Sequence, residues 1–103
     1  MVYNKLVRDK IPKLIEAQGE KAYTRVLSQE EYIGALEQKL DEEVDEFHRD
    51  QNAEELADIL EVVFALAGTL NCSLEQLMQI YQKKHDAKGG FDQRIFLISK
   101  EDM

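Results

Sequence analysis

The feature that most constrains the fold of this 103-residue chain is an acidic segment, residues 37–61, which also carries apolar residues at helical spacing. The segment holds eleven Asp and Glu residues and two bases, in a chain whose formal net charge is -8. Apolar residues within this segment and directly beside it form two stripes, Leu36, Leu40, Val44 and Phe47, followed by Leu56, Ile59, Leu60 and Val63. Dense acids usually indicate a solvated face or a disordered tail, but the stripes predict two amphipathic helices instead.

A short polar stretch, residues 48–52, separates the two stripes and predicts a tight turn. Its last residue, Asn52, belongs to the residue types preferred at a helix N-cap. The two helices should therefore form an antiparallel hairpin.

Such a hairpin brings two pairs of acids together. It places Glu46 opposite Glu55, and Glu43 opposite Asp58. Within each helix the two acids are three residues apart, so they share one side of the helix. The hairpin therefore predicts four carboxylates around one groove.

Four carboxylates in a partly dry groove repel, so either some of them bind protons or a cation lies among them. Oxygen ligands without Cys or His are typical of a hard cation, Mg²⁺ or Mn²⁺. The spacing predicts a metal site whose ligands are Glu43, Glu46, Glu55 and Asp58. The alternative is a solvated acidic hairpin that holds no ion.

The pattern Glu43-x-x-Glu46 followed by Glu55-x-x-Asp58 resembles the ExxE…ExxD motif of the all-α nucleoside triphosphate pyrophosphohydrolases. This superfamily includes MazG, the phosphoribosyl-ATP pyrophosphohydrolases and the dimeric dUTPases. Eight residues separate Glu46 from Glu55, fewer than is usual in the superfamily, so the hairpin is shorter. Nearly the full length is similar to a small MazG-like subgroup, through the segments 3–12, 39–46, 54–60 and 83–95.

The resemblance implies a Mg²⁺-dependent enzyme that splits the α–β phosphoanhydride of a nucleoside triphosphate or a phosphoribosyl-ATP-like substrate. The products would be a monophosphate and pyrophosphate. Glu46 is the carboxylate predicted to orient or deprotonate the attacking water. The alternative function is a non-enzymatic helical module whose acidic face binds a basic partner. Which nucleotide is the substrate stays open, as does the role of Glu61.

Basic residues near both ends of the chain, together with Lys39, are predicted to contact substrate phosphates. Solubility alone would also explain those near the N-terminus, and the helix macrodipole would explain cations near residue 88. The predicted phosphate-binding residues are Arg8, Lys10, Lys39, Lys83, Lys84 and Arg94.

The rest of the chain predicts one all-α domain, residues 1–103, built on the hairpin. Capping boxes at Ser28 and Ser73 begin two helices. Residues 21–27 and 94–98 alternate loosely and predict a small two-stranded ribbon. The helix predicted over 53–70 is apolar on nearly every side, so a four-helix core completed by a homodimer or homotetramer should cover it.

Composition limits the compartment and the partners. A single cysteine, Cys72, leaves no internal disulfide and fits a reducing cytoplasm. No apolar run reaches membrane-spanning length and no signal peptide is visible, so a cytoplasmic protein without a membrane partner is expected. The acidic balance argues against binding DNA.

Overall fold

The computed structural model describes residues 1–103 and contains four α-helices and no β-strand. They are α1 (Ile11–Ala17), α2 (Gln29–Asp50), α3 (Ala53–Thr69) and α4 (Leu74–Lys88). The predicted all-α class is confirmed.

Side-chain caps begin the two helices for which the sequence predicts capping boxes. The backbone N–H of Glu31 donates to Ser28 Oγ at 3.2 Å, and the Ser28 N–H donates to Glu31 Oε1 at 3.1 Å. Ser73 and Gln76 form the same reciprocal pair at the start of α4. Hydrogen bonds from Arg25 and from the Ser28 cap lower the pKa of Glu31 to about 2. These caps satisfy backbone donors that have no partner within the helix.

The turn between α2 and α3 is as tight as its polar sequence predicts. Gln51 ends α2 in the left-handed conformation, with φ 51° and ψ 47°, and its N–H donates to Phe47 O at 2.8 Å. Asn52 then caps α3, because its Oδ1 accepts the Glu55 N–H at 3.0 Å. The two helices are therefore antiparallel neighbours, and the helical hairpin is confirmed.

The α2–α3 interface holds the small core of the chain. Leu36, Val62 and Ala67 are its buried apolar residues, and Glu43 is the one buried charged residue. Helix α4 contacts α3 but not α2. The axes of α3 and α4 are bent by 107° at the break between these two helices. The chain is correspondingly elongated, with extents of 66 × 32 × 21 Å.

The predicted ribbon is wrong, since residues 21–27 and 94–98 form no strand and share no backbone hydrogen bond. Two isolated strands are marginal even when they are adjacent. Here residues 21–27 precede α2, whereas residues 94–98 follow α4, which does not contact α2. Both segments are largely exposed, for example at Val26 and Ile98.

None of the helices is by itself long and apolar enough to cross a membrane. Helices α3 and α4 meet that measure only when taken together, across their 107° bend.

Candidate metal centre

Three acids converge where α2 and α3 face each other. Glu43 projects from the C-terminal half of α2, Glu55 from the first turn of α3, and Asp58 from the next turn. One carboxylate oxygen from each lies within 4.8 Å of the other two. Hairpin pairing produces this convergence, because residues on either side of the turn come to the same level of the two helices.

Two oxygens in this acid cluster (Glu43, Glu55 and Asp58) are buried and have no hydrogen-bond partner. They are Oε2 of Glu43 and Oε2 of Glu55. Glu43 exposes only 7% of its surface. A buried carboxylate oxygen without a donor is unfavourable, and a cation among the three groups would remove that deficit.

Burial and like charge both act on these carboxyl groups. Burial is the largest cause raising the pKa of Glu43, and the adjacent Glu46 and Asp58 raise it further. Burial also raises the pKa of Glu55, followed by the charges of Glu46 and Asp50. The acid cluster therefore favours either protonation or a bound cation.

Glu46 lies beside the acid cluster but is not one of its three residues. Its carboxylate interacts with Glu43 and with Glu55 strongly enough to raise the pKa of both. It is not among the three residues whose oxygens converge within 4.8 Å. Its predicted roles, as a metal ligand and as the residue that positions water, stay predictions.

Two of the predicted phosphate-binding residues already contact acids of the cluster. Arg8 Nη2 donates to Asp58 Oδ1 at 2.8 Å. Lys39 Nζ lies 3.6 Å from Glu43 Oε1 and 3.8 Å from Glu42 Oε2. The chain therefore supplies two positive charges against the acid cluster.

The other four predicted phosphate-binding residues form no ion pair with the acid cluster of their own chain. Lys10, Lys83, Lys84 and Arg94 are exposed, and none forms an ion pair. Lys83 lines an open cleft of about 460 Å³ at the corner between α3 and α4.

The contact between Arg8 and Asp58 was not predicted. The two residues are fifty positions apart, and Arg8 lies outside any regular element. Helical periodicity relates residues a few positions apart, so it carries no signal for such a pair.

The donor set of the acid cluster suits a hard cation. All three groups offer carboxylate oxygens, which Mg²⁺ and Mn²⁺ prefer, and no thiol or imidazole is among them. Three convergent carboxylates leave coordination positions for water or for phosphate oxygens.

An uncharacterized protein of Mycolicibacterium smegmatis (strain ATCC 700084 / mc(2)155) is 58% identical to this chain over 41 residues. The matched part is 40% of this chain and 42% of that relative, so it spans less than half of either. No family model matches the chain, and no solved structure matches it.

Proposed function

We propose that the chain is a Mg²⁺-dependent nucleotide pyrophosphohydrolase, with Mn²⁺ as an alternative cation. Its substrate is a nucleoside triphosphate or a phosphoribosyl-ATP-like molecule. Hydrolysis of the α–β phosphoanhydride yields a monophosphate and pyrophosphate. The observation that carries the proposal is the convergence of Glu43, Glu55 and Asp58. In this cluster one buried oxygen of Glu43 and one of Glu55 accept no hydrogen bond.

The roles of the acids follow from their positions. Glu43, Glu55 and Asp58 would hold a divalent cation, whose charge neutralises phosphate oxygens when it is bound. Glu46, beside the acid cluster, would orient or deprotonate the water that attacks the α-phosphorus. The attack breaks the bond to the bridging oxygen, and that oxygen leaves with pyrophosphate.

We also propose that the working unit is an oligomer, a homodimer or homotetramer with a four-helix core. The chain exposes 9801 Å², whereas a compact monomer of 11.9 kDa exposes about 5,900 Å². Its radius of gyration is 18.5 Å, against about 13 Å for a compact domain of this length. Half-exposed apolar side chains such as Leu56, Leu60 and Met78 would be covered by a second copy.

An oligomer would also account for the basic residues that no acid of their own chain contacts. Packing about a two-fold axis would bring Lys83, Lys84 and Arg94 of one copy near the acid cluster of another. They would then neutralise the phosphates of a substrate held over the metal. Light scattering at low micromolar protein concentration tests the assembly, and a monomer of 11.9 kDa contradicts it.

The test of activity is a substrate panel of NTPs, dNTPs and phosphoribosyl-ATP with Mg²⁺, with the products resolved by phosphorus NMR. We expect a monophosphate and pyrophosphate from at least one substrate. The combined variant Glu43→Gln, Glu46→Gln, Glu55→Gln and Asp58→Asn should keep its helical circular dichroism but lose turnover. Turnover that survives all four changes would show that the chemistry lies elsewhere.

The panel also separates the enzyme from an acidic module that binds a basic protein. Such a module needs neither a divalent cation nor a nucleotide. Absence of turnover on every substrate, together with no stabilisation by Mg²⁺, would favour the module.

A further inference from the structure

The segment that carries Arg8, residues 1–10, meets the acidic hairpin of α2 and α3 through residues 4–8. Leu6 and Val7 are half-buried, whereas the residues on either side of them are exposed. A small cavity of about 90 Å³ separates residues 4–6 from the α2 residues 35–42. Beyond that contact, Arg8 reaches over to Asp58 on α3. The segment therefore touches both helices of the hairpin.

The Arg8 guanidinium occupies one side of the acid cluster. Its Nη2 lies 2.8 Å from Oδ1 of Asp58, one of the three convergent acids. A divalent cation that binds the same carboxylate would lie close to this guanidinium, and the two positive charges would repel. Arg8 and a metal bound to Asp58 would therefore weaken each other's binding.

The ion pair between Arg8 and Asp58 lies near the surface. Its two side chains are 55% and 41% exposed, and such exposed pairs contribute little to stability. The deeper acid, Glu43, has an unpartnered buried oxygen that Arg8 does not reach. The guanidinium thus offsets part of the negative charge and leaves the most buried part unpaired.

We propose that Arg8 is an internal counter-cation of the acid cluster, and that a divalent cation displaces it and releases residues 1–10 from the hairpin. This inference rests on the proposed metal centre. Release of the segment frees the guanidinium for the phosphates of an incoming substrate. Metal binding and exposure of a phosphate-binding residue then become one event.

The test is a titration of the full chain with Mn²⁺ alone, followed by the electron paramagnetic resonance signal of free Mn²⁺. Because Arg8→Gln removes the competing charge, this variant should bind Mn²⁺ about fivefold more tightly than the wild type. That change in affinity corresponds to about 1 kcal/mol, the upper end of what an exposed ion pair contributes. Lys13→Gln is the matched control, since Lys13 is exposed, forms no ion pair and carries the same charge. It should stay near the wild-type affinity, and Arg8→Lys should fall between the wild type and Arg8→Gln.

A second measurement follows the segment rather than the metal. Tryptic cleavage of the Lys5–Leu6 bond should be slow in the metal-free wild type, because Leu6 lies against the hairpin, and Mn²⁺ should accelerate it. In Arg8→Gln the cleavage should be fast with or without Mn²⁺, and Lys13→Gln should behave as the wild type.

The outcomes separate the two proposals. If all variants bind Mn²⁺ equally, or if Mn²⁺ slows cleavage of the wild type, the counter-cation role is overturned while the metal centre stands. If neither the wild type nor any variant binds Mn²⁺, the metal centre falls and the counter-cation role falls with it.

Discussion

Neutralising Glu43 should stabilise the metal-free protein, although it removes a residue proposed to be essential. Glu43 is the one buried charged residue of the chain, and its Oε2 has no hydrogen-bond partner. Leaving such a charged group unsatisfied costs about 1–3 kcal/mol. A Gln amide carries no charge and can donate to the neighbouring carboxylate of Glu46 or Asp58, so it lowers that cost. The pair of Glu43 with Lys39, 3.6 Å away, contributes about 0.5 kcal/mol in the opposite direction.

Glu43→Gln should therefore raise the free energy of unfolding by about 1 kcal/mol in EDTA. For a chain of this length, that gain raises the Tm by about 4–8 °C. Glu42→Gln is the matched control, because Glu42 is adjacent, also faces Lys39 and has a side chain that is 46% exposed. It should change the stability by less than about 0.5 kcal/mol.

The assay is thermal and urea denaturation at a fixed protein concentration, in EDTA and in excess Mg²⁺. In the wild type, Mg²⁺ at a hundred times its Kd should add about 2.7 kcal/mol. Mg²⁺ should stabilise Glu43→Gln much less, so the wild type should be the more stable of the two proteins in excess Mg²⁺. The reasoning is refuted if Glu43→Gln melts no higher than Glu42→Gln in EDTA, or if Mg²⁺ stabilises Glu43→Gln as much as the wild type.

Three further predictions concern pH, capping and the late basic residues. Because the folded-state pKa of Glu43 and of Glu55 is raised above the ordinary value, these two groups bind more protons in the folded protein than in the unfolded chain. Their contribution to stability in EDTA should fall as the pH rises through those raised values, and Mg²⁺ should flatten the slope. Urea melts between pH 5 and 8, above the range in which Glu31 adds the opposite slope, would show a rise instead if the sign is wrong. Asn52→Ala should cost about 1 kcal/mol by urea denaturation, because the Glu55 N–H loses its acceptor, and an unchanged midpoint would argue against that cap. Lys84→Ala and Arg94→Ala should weaken substrate binding or turnover in steady-state kinetics without changing the Tm, and full activity in both would remove them from the site.

The sequence alone was sufficient for features that depend on nearby residues. The periodicity of apolar residues and the capping residues Ser28, Asn52 and Ser73 identified the three longer helices and placed the turn. Once the turn is known, antiparallel geometry places Glu43 and Asp58 at one level. Helix periods and caps involve residues within a turn of one another, so they can be read directly from the chain.

Tertiary structure decided which of the acids are buried and which basic side chain pairs with them. Glu43 and Glu46 are equivalent in the motif and share one side of α2, but only Glu43 lies in the buried convergent group. Glu46 is one turn nearer the end of α2 and is only half-buried. The pair of Arg8 with Asp58 depends on the path of an irregular segment, which no periodicity describes. The predicted ribbon failed for the same reason: the tendency of residues 21–27 and 94–98 to extend is local, but whether they meet depends on the direction of α4. Burial and long-range contact are properties of the packed chain, and so they required the structure.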